Sequence, residues 1–150
     1  MREYRLAVVT AVFALALAVI GALVEPEGAA LACPDWPLCQ GEALPALTGR
    51  VLVEQGHRLV ALAVAALTAA LALAVLRRRT EASLRRLALA AVTLVALQAA
   101  LGAANVLLGL PDAARVGHLV TAMTFFAVVF HLAARLRPTH PAARAVQVRA

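Results

Sequence analysis

Four stretches of the chain are almost wholly apolar, and most of the charged residues fall between or beyond them. They run over about 6–24, 57–76, 87–110 and 116–136, and each is bounded by charges or proline. A helix needs about 20 mostly apolar residues to cross the hydrocarbon core of a bilayer. The pattern therefore predicts an all-α membrane protein with four transmembrane helices. The short links Arg77 to Arg86 and Pro111 to Arg115 make neighbouring helices antiparallel. Composition agrees: 63% of residues are hydrophobic and mean hydropathy is +0.87, far from an ordinary soluble domain. The first stretch follows Arg2 and Arg5 as a signal peptide would, with small residues at Ala30 and Ala32. Its apolar run exceeds the roughly 7–15 residues of a signal-peptide core, so it reads as a retained span.

Charge sets the expected orientation. The chain has no lysine, and Arg77, Arg78, Arg79, Arg85 and Arg86 crowd the link between the second and third stretches. Arg2, Arg5, Arg135, Arg137, Arg144 and Arg149 fall on the same side, opposed only by Glu3 and Glu81. The other side carries Arg50, Arg58 and Arg115 against Glu25, Glu27, Asp35, Glu42, Glu54 and Asp112. Positive residues stay cytoplasmic, which predicts a multi-pass protein of the cell (cytoplasmic) membrane, N-in/C-in. The net charge of +6 is then a topology signal, and no nucleic acid is needed to explain it. One domain is expected, a four-helix unit over 1–137, followed by a cytoplasmic tail over 138–150 that holds a solvated His140. No convincing internal repeat is visible.

The outer link from Glu25 to about Leu52 is much longer than a connection requires, which marks it as functional or separately structured. Its second half, Leu44 to Val53, is expected to form a short helix on the membrane surface. The link carries the only two cysteines, in Cys33-Pro34-Asp35-Trp36-Pro37-Leu38-Cys39. On the outer side disulfides persist, and the two prolines keep the segment from becoming helical, so it can fold back and join the thiols. The pair reads either as a structural staple or as a redox-labile bridge. Its spacing lacks the nearby histidines of a zinc site.

The polar residues at the outer ends of the spans carry the candidate chemistry. His57 and His118 each stand where an apolar stretch begins, and both beginnings lie on the outer side. Ionisable side chains at membrane depth are expensive and mark functional sites. Two histidines on different helices at matching depth can grip a haem iron from both faces. Glu54 and His57 share a helix face, and Arg58 lies one turn from Glu54. A carboxylate there can orient the imidazole or handle a proton. Arg58 can pair with a haem propionate or with Glu54. Taken alone, Glu54-Gln55-Gly56-His57-Arg58 is equally an interfacial cluster capping the helix; His118, entering from the same side, tips the balance.

In order and spacing, Cys33 to Cys39, Glu54-x-x-His57-Arg58, Gln98 with Leu101-Gly102, and His118 resemble the haem A synthase family. The resemblance runs from about Gly21 to His131. It implies a membrane oxidoreductase that converts a methyl group of haem O to a formyl group, through two hydroxylations and loss of water, giving haem A for terminal oxidases. It implies eight spans in two similar halves, one histidine pair holding haem b as cofactor and the other receiving haem O. Carried onto this chain, His57 and His118 are axial ligands of the haem iron, and Arg58 binds the cofactor. Glu54 and His57 are catalytic, Glu54 stabilising charge or moving a proton. The implied partners are haem O, haem O synthase, terminal-oxidase assembly proteins and membrane lipid. One half of the family pattern is present here, so a homodimer or higher symmetric oligomer is expected, the second protomer standing in for the other half.

Two other classes use part of this set. A b-type cytochrome electron carrier needs the histidines and leaves Glu54 unexplained. A quinone-linked membrane thiol oxidoreductase uses the bundle and the outer cysteines, but usually relays electrons through two cysteine pairs. Gln98, Gly102 and Asn105 form one stripe of the third helix, facing either a haem cavity or a neighbouring helix. Thr121 and Phe125 follow His118 along its face, lining a pocket or packing a core. His131 lies about 220° around the helix from His118 at roughly 100° per residue, which points it away from the site.

Overall fold

In lipid no water satisfies backbone N–H and C=O groups, so a lone apolar stretch must become a helix. The computed structural model describes residues 1–24 and 28–138. In it the four stretches form α1 (Arg2–Val24), α2 (Gly49–Arg78), α3 (Ala82–Leu107) and α4 (Asp112–Arg135). All four are long and apolar enough to cross a membrane; at about 1.5 Å per residue they are roughly 35–45 Å long. The protein is an integral membrane four-helix bundle. His140 and the tail beyond Pro138 lie outside the described residues.

Two helix boundaries differ from expectation for local reasons. The surface helix expected over Leu44 to Val53 is not a separate element. Leu44 to Thr48 is non-helical, and α2 starts at Gly49 and continues unbroken through Val53. Pro45 disfavours helical backbone at Leu44, and Thr48 is extended, with φ −130° and ψ 149°. α3 stops at Leu107, short of 110, because Gly109 and Leu110 are left-handed, with φ of 69° and 61°. Their amides return to Val106 O at 3.3 Å and Asn105 O at 2.7 Å, a Schellman ending that satisfies the last carbonyls. Pro111 then leads into α4.

The helices close into a ring. α1 packs on α2 and α4, and α3 packs on the same two, so α2 and α4 occupy one diagonal and α1 and α3 the other. Successive helices run in opposite directions. Glu3 at the start of α1 lies 3.9 Å from Arg78 and 3.5 Å from Arg79 at the end of α2. Arg135 at the end of α4 pairs with Glu81, just before α3. All these ion pairs gather at one end; His57 and His118 are at the other.

Between the ends lie two apolar layers. Ala7, Leu71, Val75, Leu84, Ala88 and Leu132 fill the layer next to the arginines. Ala11, Ala14, Val64, Ala91, Phe125 and Val129 fill the next. Alanines at the contacts let the backbones approach closely, which is how helices associate where lipid removes the hydrophobic drive. Phe125 therefore packs a core. The buried hydroxyls of Thr10 and Thr68 donate to the carbonyls of Leu6 at 2.8 Å and Val64 at 2.7 Å, so neither is left unpaired. Large side chains such as Leu62, Leu119 and Phe130 point outward, and His131 is exposed on α4.

Leu71 is 1% exposed and Leu62 68%, although both are leucines of α2. Leu71→Ala is expected to lower the unfolding free energy in detergent by about 2–5 kcal/mol, the range for emptying a packed leucine site. Leu62→Ala should leave it nearly unchanged. Equal losses in thermal denaturation would contradict the packing described.

Candidate functional site

The outer loop is built on two short covalent and polar closures. Cys33 and Cys39 form a disulfide with Cα atoms 4.5 Å apart, and both are fully buried. Cys39 and Glu42 exchange backbone hydrogen bonds of 2.8 and 3.0 Å. Gln40 and Gly41 take left-handed backbone, φ 55° and 80°, which aims both amides at one acceptor. Their N–H groups donate to the Asp35 carboxylate at 2.7 and 2.8 Å. The amide of Gly41, followed by that of Gln40 and the charge of Arg58, holds the Asp35 carboxyl below its ordinary value of 3.8 against a partial desolvation.

This loop is fastened to the first turns of α2. Arg58 Nη1 donates to Leu38 O at 2.7 Å and Asp35 O at 2.8 Å. Arg58 Nη2 donates to Cys33 O at 2.9 Å and to Glu54 Oε1. The other Glu54 oxygen accepts the Cys33 amide at 2.8 Å. Gln55 Nε2 donates to Ala43 O at 2.9 Å. Four of the five donors of the planar guanidinium are thus engaged, a use of the fork that lysine cannot copy. Of the two pairings open to Arg58, the structure contains the one with Glu54, and at most Nε–H is left for an anionic ligand. Glu54 thus divides its oxygens between the Cys33 amide of the loop and Arg58. Glu54 and Gln55 are buried under the loop they hold. Gln55 was not foreseen as part of this site, since nothing in the sequence distinguishes it from a solvated glutamine.

Below the loop, the two histidines stand on diagonal helices, within electrostatic reach of one another. Each rests against a glycine. A Cβ on Gly21 of α1 would sit 3.1 Å from His57 Nε2, and one on Gly102 of α3 would sit 3.5 Å from His118 Cε1. The Gln98 backbone lies beside the His118 ring. His118 Nδ1, Gln98 Oε1 and Asn105 Oδ1 are buried without a hydrogen-bond partner. Each such orphan costs about 1–3 kcal/mol, and three together are a reason to look for a bound group. The stripe of Gln98, Gly102 and Asn105 thus belongs to the histidine end. Gly21 escaped sequence reasoning; its only signal was a lone glycine inside an apolar run.

The family model COX15-CtaA, described as cytochrome oxidase assembly protein, matches residues 4–150. The chain is similar to the haem A synthase of Symbiobacterium thermophilum, 40% identical over 93 residues, covering 62% of this chain and 30% of that one. It is 37% identical over 108 residues to the haem A synthase of Bacillus licheniformis, covering 69% and 35%. A protoheme IX farnesyltransferase of Haloarcula marismortui is 39% identical over 94 residues, 63% of this chain and 20% of that protein. The chain spans about a third of the length of the haem A synthases it matches.

Arg58→Ala removes four hydrogen bonds at once and leaves the Glu54 carboxylate buried without its cation. Breaking a buried pair in this way costs about 3–5 kcal/mol. The variant should keep its helical circular dichroism while its disulfide becomes much faster to reduce, read by thiol labelling after mild reductant. A labelling rate equal to wild type would count against the clamp.

Asp35 supplies a pH test. Its folded-state pKa lies below the ordinary 3.8, so its stabilisation of the loop is complete above that value. It is lost as pH falls through the lower folded-state value. Exchange protection of the Gln40 and Gly41 amides, corrected for intrinsic rate, should fall in that acid window. Asp35→Asn should abolish the pH dependence.

Proposed function

The chain belongs to the COX15-CtaA family of cytochrome oxidase assembly proteins, and from that premise we propose that it is a haem-binding unit of a haem A synthase. In this reading it oxidises a methyl group of haem O to the formyl group of haem A, as an enzyme with haem b as cofactor. The observation that carries the reading is the histidine end of the bundle. His57 and His118 stand on diagonal helices within electrostatic reach of one another, each with its ring against a glycine, Gly21 or Gly102, of a neighbouring helix. The orphaned His118 Nδ1, Gln98 Oε1 and Asn105 Oδ1 add polar atoms that lack partners. Those features fit a haem, which His57 and His118 would hold by their imidazoles.

When bound, haem supplies the redox chemistry, and the protein supplies position and proton handling. His57 and His118 hold the iron. Arg58 acts as a positioning residue, because its fork fastens the disulfide loop over the His57 end and keeps bulk water out. Glu54, bonded to both the loop and Arg58, is assigned to charge stabilisation or proton movement at the mouth of the site. The arginine-rich end faces the cytoplasm of the cell membrane by the positive-inside rule, which opens the site on the outer, oxidising side. Cys33 and Cys39 serve as a staple; both are fully buried, unlike the accessible thiols of disulfide exchange. That burial counts against the thiol oxidoreductase.

The matched haem A synthases are about three times as long as their matched stretch. In this reading the chain associates with another copy of itself as a homodimer or higher symmetric oligomer. Similarity to a protoheme IX farnesyltransferase supports a haem O synthase as the neighbour that delivers substrate, with terminal-oxidase assembly proteins receiving the product. One observation favours the plain b-type cytochrome as second reading: one Glu54 oxygen is spent on the Cys33 amide and the other on Arg58, and an electron carrier asks nothing more of that residue.

Co-expression with a haem O source and extraction of pigments separates the two. Wild type should accumulate haem A, whereas His57→Ala and His118→Ala should lose bound haem or its low-spin spectrum and His131→Ala should not. Glu54→Gln should keep haem and lower conversion by roughly 10²–10⁴, the usual worth of proton handling. Haem bound without haem A in wild type would leave the cytochrome. In parallel, the mass of the detergent-solubilised protein should correspond to two or more chains; a fully active monomer would overturn the oligomer.

A further inference from the structure

The bundle repeats one device in its two hairpins. In α1–α2, Gly21 near the outer end of the first helix faces His57 near the start of the second. In α3–α4, Gly102 and His118 stand in the same relation. We propose that Gly21 and Gly102 are positioning residues, each providing the bare backbone wall that sets its partner's imidazole, with Gly21 the stricter of the two. The consequence for haem rests on the reading above; the setting of the rings does not.

Distances decide the inequality. Dispersion contacts are optimal at about 3.5–4.0 Å. A methyl on Gly21 would lie 3.1 Å from His57 Nε2, tight enough that the ring must give by a few tenths of an ångström. On Gly102 the methyl would lie 3.5 Å from His118 Cε1, an ordinary contact. A larger group there would not fit so easily. Glycine is also the costlier residue inside a helix, and at Gly21 the close approach of the His57 ring accounts for its use. Two neighbouring glycines behave differently and serve as controls. A Cβ on Gly56, beside His57 in sequence, meets nothing within 4 Å, and one on Gly117, beside His118, meets only Leu101 at 3.7 Å.

Nε2 is a ligating nitrogen of histidine, so displacing it changes ligation directly. A merely structural glycine would change stability and leave the imidazole environment alone. The two roles are therefore separable by spectroscopy on the protein without any ligand.

The test uses the full chain, histidine-labelled, in detergent and free of haem. Gly21→Ala should shift the His57 imidazole resonances, identified by their loss in His57→Gln, while those of His131 stay in place. Gly102→Val should shift His118, and Gly56→Ala should shift neither. With iron protoporphyrin IX as the probe, Gly21→Ala should weaken uptake at least tenfold or move the low-spin electron paramagnetic resonance signal. An unmoved His57 in Gly21→Ala, or an equal shift in Gly56→Ala, would overturn the proposal. Should Gly21→Ala fail to fold, the double variant with His57→Ala removes the colliding ring and should restore folding; a double variant that also fails overturns it. If the rings shift as expected but wild type takes up no haem, the haem reading falls and the glycine inference stands.

Discussion

The absence of water around the bundle is the constraint from which the other features follow. A polar group in hydrocarbon must find its partner inside the protein, and almost every buried polar group here does. The backbone turns helical, Thr10 and Thr68 bond back to their own helices, and Glu3 meets Arg78 and Arg79 at the end of the bundle. Helix contact is then left to close packing, which alanine layers provide. Against that background the unpaired atoms of Gln55, Gln98, Asn105 and His118 are exceptions among the described residues, three of the four on α3 and α4.

The outer loop solves the same problem at the boundary. A 33–42 segment with two prolines and two left-handed residues cannot form regular structure, so its carbonyls and amides need other partners. Arg58 takes three of those carbonyls, Glu54 an amide, Gln55 another carbonyl, and Asp35 two amides. The disulfide shortens the loop, while the clamp decides where it sits. Through Arg58 and Glu54, the position of the loop is tied to the same helical turn that presents His57. A residue with the chemical makings of catalysis thus also carries an architectural load, and only variants that keep its shape can separate the two.

Gly21 and Gly102 show how the scaffold and the site share one geometry. The backbones of the two histidine-bearing helices stay apart across the bundle, and α1 and α3, which carry Gly21 and Gly102, close the ring between them. Each ring leans on backbone, tightly at Gly21, where a Cβ would lie 3.1 Å from His57 Nε2, and loosely at Gly102, where it would lie 3.5 Å from His118 Cε1. The α1–α2 and α3–α4 hairpins are equivalent in this respect although their sequences share no evident repeat. Two residues per hairpin are too few to register as a pattern along a chain dominated by alanine and leucine.

Much was legible in the residues alone. Apolar runs of spanning length specify four helices because lipid leaves a chain no other structure, and the cysteine, glutamate and histidine spacing pointed to the family that the comparison then showed. The sequence could not say which carbonyls Arg58 would choose, since a propionate and Glu54 were equally within its chemistry. Nor could it place Gln55 or Gly21, whose roles come from segments many residues away. It also suggested a surface helix over Leu44 to Val53, where Pro45 and the extended Thr48 set the start of α2 at Gly49 instead. Local composition determines secondary structure and span count, because those depend on each segment's own balance with lipid. Which polar atoms meet and which ring rests on which backbone was decided by tertiary packing, because those distances exist only once four helices share one core.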